Sequence, residues 1–278
     1  MKVVWKIVLI FALALLILGV ALIAVSLFSG GSVEGVRNNV PLTRFEQNFT
    51  DETPSALRIE IPAGRLTVER GDVLRVEASN VAEGRFYCAV ENGTLIVRET
   101  RDDSWSNNLS RLISLGKREP EYHVWLPDGL TLTRADVEMA AGEAHVLGLK
   151  TDVLQFKMAA GAAEVTSLRA QAALIEVAAG SLSLFDLDTQ VLSLQTAAGS
   201  AGVSGTVRSH CVVELAAGAA VLKLTGAAAD YSAQLEAAAG MIDYDGTSLT
   251  LGQLRVGRGE NTMSLRCGAG SIEVQFFG

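Results

Sequence analysis

The chain has 278 residues, of which 49% are apolar but only 6% aromatic, so its core must be built from Ala, Val, Leu and Ile. A net charge of −8 argues against sequence-independent nucleic-acid binding, which needs dense Lys and Arg. Three cysteines, Cys88, Cys211 and Cys267, cannot close into a full disulfide framework. With no CxxC pair and scattered histidines, they read as small buried hydrophobes rather than zinc ligands.

Residues 7–28 carry no charge, and these 22 residues would span about 33 Å as a helix, enough to cross a bilayer core. Lys2 and Lys6 precede the run and Glu34 follows it, which predicts a single-pass membrane anchor with a cytoplasmic N-terminus and an extracytoplasmic remainder. A cleaved signal peptide has a shorter apolar core and is the competing reading. The expected organisation is a cytoplasmic stub and transmembrane helix over 1–29 and a linker over 30–40. An N-terminal β segment over 41–140 and a glycine-punctuated repeat over 141–278 follow.

In the N-terminal segment, Ala63-Gly64 followed by Leu66 and Val68 is an early copy of a corner that recurs later. Asn92-Gly93 between two apolar alternating runs predicts a hairpin turn. Tyr122–Pro127 reads as a strand. The polar stretch Arg101–Pro120 holds Leu109, Leu112 and Ile113 at helical spacing, which fits a short packed helix, and Trp105 is its only aromatic.

The repeat follows. Ala-Ala-Gly recurs with its glycine at Gly142, Gly161, Gly180, Gly199, Gly218 and Gly240, and Gly268-Ala269-Gly270 closes the series. The first five are separated by 19 residues each. Apolar residues alternate on both sides of each glycine: Phe156 and Met158 before Gly161, Ala163 and Val165 after it. Period-2 alternation means strands with one buried face. A fixed long period with equivalent positions favours stacking of like on like, so the expected fold is all-β: a parallel β-solenoid with two short strands per 19-residue unit, joined at the structural corner glycines Gly142, Gly161, Gly180, Gly199, Gly218, Gly240 and Gly270.

Taken in order, these features resemble the bacterial membrane-anchored β-strand repeat proteins of unknown function commonly labelled "putative adhesin". The resemblance rests on the apolar N-terminal run, the Leu57–Val68 entry strands, Glu91-Asn92-Gly93-Thr94-Leu95-Ile96-Val97, Val124-Trp125-Leu126-Pro127, the glycine-punctuated units and the closing Gly268-Ala269-Gly270-Ser271-Ile272. It covers roughly residues 40–278 and implies an extracytoplasmic, envelope-associated role. It supplies no catalytic residues. Relatives often carry Ser, Gly or Asp around the corner glycine, where this chain has Ala-Ala-Gly.

A polysaccharide-cleaving site would need paired carboxylates, or carboxylates with a metal, stacked on one outward face. The outward column four residues before each glycine reads Lys157, Glu176, Gln195, Glu214, Glu236 and Arg266, with no repeated acid–base pair. Asp243-Tyr244-Asp245-Gly246 only faintly resembles a calcium loop. His145 and Glu164 are expected as neighbours in adjacent units. The Asn-X-Ser/Thr sequences at Asn48, Asn92 and Asn108 matter only in a host that glycosylates them. No catalytic residue, cofactor or metal site is expected. Partner contacts are expected at Trp105 and at the C-terminal edge with Phe276 and Phe277, where a terminal strand can pair with a second copy. The expected function is that of a noncatalytic adhesin, scaffold or envelope-sensing accessory with a protein or surface polysaccharide partner. The alternatives are a carbohydrate-active enzyme and a self-associating structural rod.

Overall fold

The computed structural model describes residues 42–50, 52–100 and 119–278. Their strands are β1 (Leu42–Asn48), β2 (Ala56–Gly71), β3 (Arg75–Ala82), β4 (Phe86–Glu91), β5 (Thr94–Glu99), β6 (Glu121–Pro127), β7 (Leu132–Leu147), β8 (Lys150–Thr166), β9 (Arg169–Thr225), β10 (Tyr231–Tyr244), β11 (Thr247–Leu249), β12 (Gly252–Val256) and β13 (Asn261–Phe277). All join one sheet whose main path runs β1-β3-β6-β2-β7-β8-β9-β13-β10-β11.

The expected parallel solenoid is corrected by this topology. The sheet is mixed: β1–β3, β3–β6, β4–β5, β10–β11 and β10–β12 pair antiparallel. Part of the reason is local. The two-residue links Asn92-Gly93 and Asp245-Gly246, all four residues at positive φ, can join only antiparallel neighbours.

The transmembrane helix expected over residues 7–28 lies outside the described residues. Among those described, the one helical element is the 3-10 turn Ala228–Asp230, and no helix is long and apolar enough to cross a membrane. The single-pass localisation derived from that helix is corrected with it. The helical spacing read in the Arg101–Pro120 stretch, and Trp105, fall in residues 101–118, also outside the described set.

The glycine period does fix register. Gly64 pairs with Gly142, Gly142 with Gly161, and Gly161 with Gly180. At Gly180 φ is +129°, and a Cβ there would sit 1.9 Å from the Gly161 carbonyl oxygen. Gly142, Gly161, Gly180, Gly199 and Gly218 each need glycine twice over, for a left-handed φ and for the backbone of the preceding repeat. On either side, alternate residues turn inward: Phe156 and Met158 before Gly161 and Ile175 and Val177 before Gly180 are buried, as are Ala163 and Val165 and Leu182 and Leu184 after them. A large aliphatic side chain so buried contributes about 1.5–3 kcal/mol relative to exposure.

A second turn, six residues after the glycine, repeats with the same period at Gly148, Ser167, Asp186 and Gly205, all at positive φ. The Ser167 hydroxyl donates to Asp186 Oδ2 at 2.9 Å, and Arg169 Nη2 reaches both Asp186 oxygens at 3.0 Å. These bonds hold the Asp186 carboxyl below its usual range.

The few aromatics gather largely at the two ends of the aliphatic core. Phe45, Phe86 and Tyr122 pack together at one end, and Tyr231, Tyr244 and Phe276 at the other. The buried phenols are satisfied: Tyr122 donates to Glu99, Tyr231 to the Val207 carbonyl, and Tyr244 to the Ala228 carbonyl at 3.2 Å.

The last repeat is out of sequence order. β13 lies between β9 and β10, parallel to both, so Gly270 stands between Gly218 and Gly240. The strand order places Arg266 between Glu214 and Glu236 on the outward face. β11 and β12 then cover the far side of β10 with short antiparallel pairings.

Candidate functional site

A cluster of outward side chains lies on β1, β3, β6 and β2. In β6, Tyr122, Val124 and Leu126 are buried, so alternation turns Glu121, His123 and Trp125 outward. Register supplies their neighbours. Arg75 pairs with Trp125, Glu77 with His123 and Ser79 with Glu121 on one side; Glu69 pairs with Trp125, Thr67 with His123 and Arg65 with Glu121 on the other.

The His123 and Trp125 rings stack at 3.6 Å, inclined by 20°. His123 Nε2 lies 2.8 Å from Glu69 Oε1. The Arg75 guanidinium carbon is 4.9 Å from the Trp125 ring centre, a cation–π distance, while Arg75 Nη2 bonds Glu46 Oε1 at 3.0 Å and also Glu77. Gly71 lies close against the indole: a Cβ there would come within 3.2 Å of the ring. Beside this stack, Arg44, Arg65, Thr67, Ser79, Glu121 and His123 line a groove of about 420 Å³. Arg44 Nη2 stands 3.5 Å from Glu77 Oε2, and Arg65 Nη2 2.9 Å from Glu143 Oε2. Glu121 accepts a long 3.4 Å bond from the Ser79 hydroxyl.

Guanidinium, hydroxyl and carboxylate groups thus line the groove together with the His123 ring, and Trp125 stacks behind that ring, outside the lining. That chemistry suits a ligand carrying many hydroxyls, which can donate and accept at once.

The corner glycines all fall in one column, in the order Gly64, Gly142, Gly161, Gly180, Gly199, Gly218, Gly270, Gly240. They shape the backbone and carry no side chain to a site. Phe276 packs against Tyr231 and Tyr244, while Phe277 is exposed. Both lie on β13, paired with β9 through Phe277, and neither belongs to the groove. His145 and Glu164 are register neighbours, with Nδ1 and Oε2 3.8 Å apart. Asp243 closes a turn: Oδ1 accepts the Gly246 N–H at 3.0 Å and Oδ2 the Ser248 hydroxyl at 2.7 Å. Among the described residues, no group of three or more His, Cys, Asp or Glu could hold a metal ion.

The His123–Trp125 cluster was not singled out from sequence. The alternation of Tyr122–Pro127 shows that both residues share a face, but their partners come from strands about 50 residues away.

No protein-family model matches the chain, and no curated protein matches it. Solved structures do. One is a "putative cell adhesion protein" from Clostridium sporogenes, with 11% identity, a TM-score of 0.41, and coverage of 85% of this chain and 100% of that one. A "putative adhesin" from Bacteroides fragilis has 9% identity, a TM-score of 0.41, and coverage of 84% and 97%. A "putative lipid binding protein" from Parabacteroides distasonis has 9% identity, a TM-score of 0.29, and coverage of 84% and 97%.

Proposed function

We propose that the chain is a noncatalytic binding module of the adhesin kind, which takes a surface polysaccharide in the groove beside His123 and Trp125. The observation that carries this reading is the outward stack of these two rings, flanked by Glu69 and Arg75, with His123 itself lining the polar groove. An aromatic surface offers the apolar faces of a sugar ring a partner, and neighbouring carboxylates and guanidinium groups bond its hydroxyls. The cluster sits on four paired strands, so the side chains are arranged before any ligand arrives, which limits the ordering cost of binding.

The test is calorimetric titration of the full-length chain with neutral and uronic-acid oligosaccharides. Saturable binding by at least one class is expected. Arg44→Ala and Glu121→Gln, both on exposed groove residues, should weaken that binding by roughly tenfold each while leaving the melting temperature unchanged. Absence of binding to every class, or binding indifferent to both substitutions, would remove this reading.

A further inference from the structure

The placement of β13 bears on how two copies of this chain meet. β13 forms 13 register pairs with β10 and 15 with β9, so most of its length is held on both sides. The outer side of β10 is already occupied by β11 and β12, of three and five residues. Such short terminal strands offer little ladder to a newcomer, so addition of a strand at this end of the sheet is blocked.

The chain reaches its slot by a tight route. β12 ends at Val256 on one side of β10, and β13 begins at Asn261 on the other. Only Gly257, Arg258, Gly259 and Glu260 connect them, and they pass over the start of β10. A Cβ on Gly257 would lie 2.2 Å from the Tyr231 carbonyl oxygen, and one on Gly259 would lie 2.0 Å from the Asp230 carbonyl carbon. The crossover is a four-residue strap drawn against the backbone it crosses.

We infer that this strap is a hinge, and that the slot between β9 and β10 also accepts β13 from a second copy of the chain, giving a strand-exchanged dimer. The occupant is defined by the slot itself. It must run parallel to both neighbours, set an apolar side chain between Val213 and Leu235, bring a corner glycine between Gly218 and Gly240, and place a cation between Glu214 and Glu236. Leu265, Gly270 and Arg266 of β13 meet these requirements in register. A β13 from a second copy meets every one of them with identical contacts, so the two arrangements differ only at the strap and in the entropy of association. Opening the strap frees Gly257 and Gly259 from the Asp230–Tyr231 backbone, and any added bulk there favours the exchanged form.

The experiment uses the full-length chain with His210→Cys and Thr262→Cys, an outward register pair between β9 and β13. Oxidation of dilute protein should close the bond within one chain. Oxidation after incubation at high concentration should yield covalent dimers on denaturing, non-reducing electrophoresis that are absent from the parent without the two cysteines. Adding Gly259→Ala should raise the dimer association constant by roughly tenfold or more through strain at the strap. Inserting three residues after Arg258 should relax the strap and lower the dimer share. The insertion keeps the inference testable if Gly259→Ala fails to fold. Dimers that carry only intrachain bonds would overturn it, as would a dimer share that does not fall when the strap is lengthened.

Discussion

Arg266 Nε stands 3.6 Å from Glu236 Oε2, one strand away, and on its other side the Arg266 guanidinium bonds Glu214. In simple chain order the two glutamates would be direct neighbours at equivalent positions of adjacent repeats. Like charges directly opposite one another destabilise a sheet, and an interposed cation reverses the sign of both contacts. The spatial order β9-β13-β10 is thereby reinforced by the outward face as well as by the ladder.

Reversing that cation should be felt. Arg266→Glu replaces two attractive contacts with a row of three carboxylates, at a cost of about 1–2 kcal/mol given the exposure of the site. Chemical denaturation at low and high salt reads it out. The loss should shrink as salt screens the row, and a salt-independent loss would show that charge is not its cause.

Two glycines separate conformation from contact. Gly180 has φ of +129° and the Gly161 carbonyl oxygen where its Cβ would lie; Gly84 has φ of +73° with nothing within 4 Å. Gly84→Ala should cost about 1 kcal/mol, the price of a left-handed residue alone. Gly180→Ala should cost about 3 kcal/mol or more, because two backbones must also part. Equal costs in thermal denaturation would mean the ladder yields at the corner.

Alkaline pH should destabilise the fold. Burial pushes the Cys211 and Cys88 thiols up to about 12 from an ordinary 9.0, and the Tyr231 and Tyr244 phenols up to about 12 from 10.0. The unfolded chain then gives up protons first, so stability is fully present below pH 9.0. It falls from there as the thiols ionise in the unfolded chain and more steeply above 10.0, until the folded-state groups ionise near 12. Melting temperatures across this window should drop, and Cys211→Ala should flatten the slope while lowering the overall value. A melting temperature constant across the window would contradict the buried assignments.

Removing one repeat should leave the rest in register. Ala162 pairs with Ser181, so deletion of residues 162–180 joins Gly161 to Ser181 and keeps every inward position inward. Deletion of residues 162–171 shifts the downstream glycines out of their column. Circular dichroism and denaturant unfolding should find the first variant β-rich and cooperative and the second aggregated or non-cooperative; matching behaviour would show that the period does not set the pairing.

The glycine column, the inward alternation and the Asn92-Gly93 hairpin were legible in the sequence because each is a local signal with a fixed period or a specific turn chemistry. The position of β13 was not, because its inward residues are interchangeable with those of β10: Leu265 matches Leu235, and Ile272 matches Ile242. Period alone cannot rank two repeats that fit the same slot. The second turn column was hidden by residue type. Ser167 and Asp186 hold positive φ where glycine would have announced it, and Asp186 is tied there by Ser167 and Arg169 from the neighbouring repeat. The binding face was half legible. Alternation in Tyr122–Pro127 puts His123 and Trp125 side by side, but Glu69 and Arg75 reach them only through parallel and antiparallel pairings that no local pattern encodes.

The flanked position of β13 also governs how the molecule bears load. A force applied along the Thr262–Val274 part of β13 loads its pairing with β9 and β10 together, whereas Gln275–Phe277 beyond it pair with β9 alone. Bonds loaded along the strand are strained side by side, and two flanking ladders hold this strand where a sheet edge has only one. Resistance to pulling is set by the unfolding barrier, not by equilibrium stability. A strand so flanked gives way only when two ladders part together.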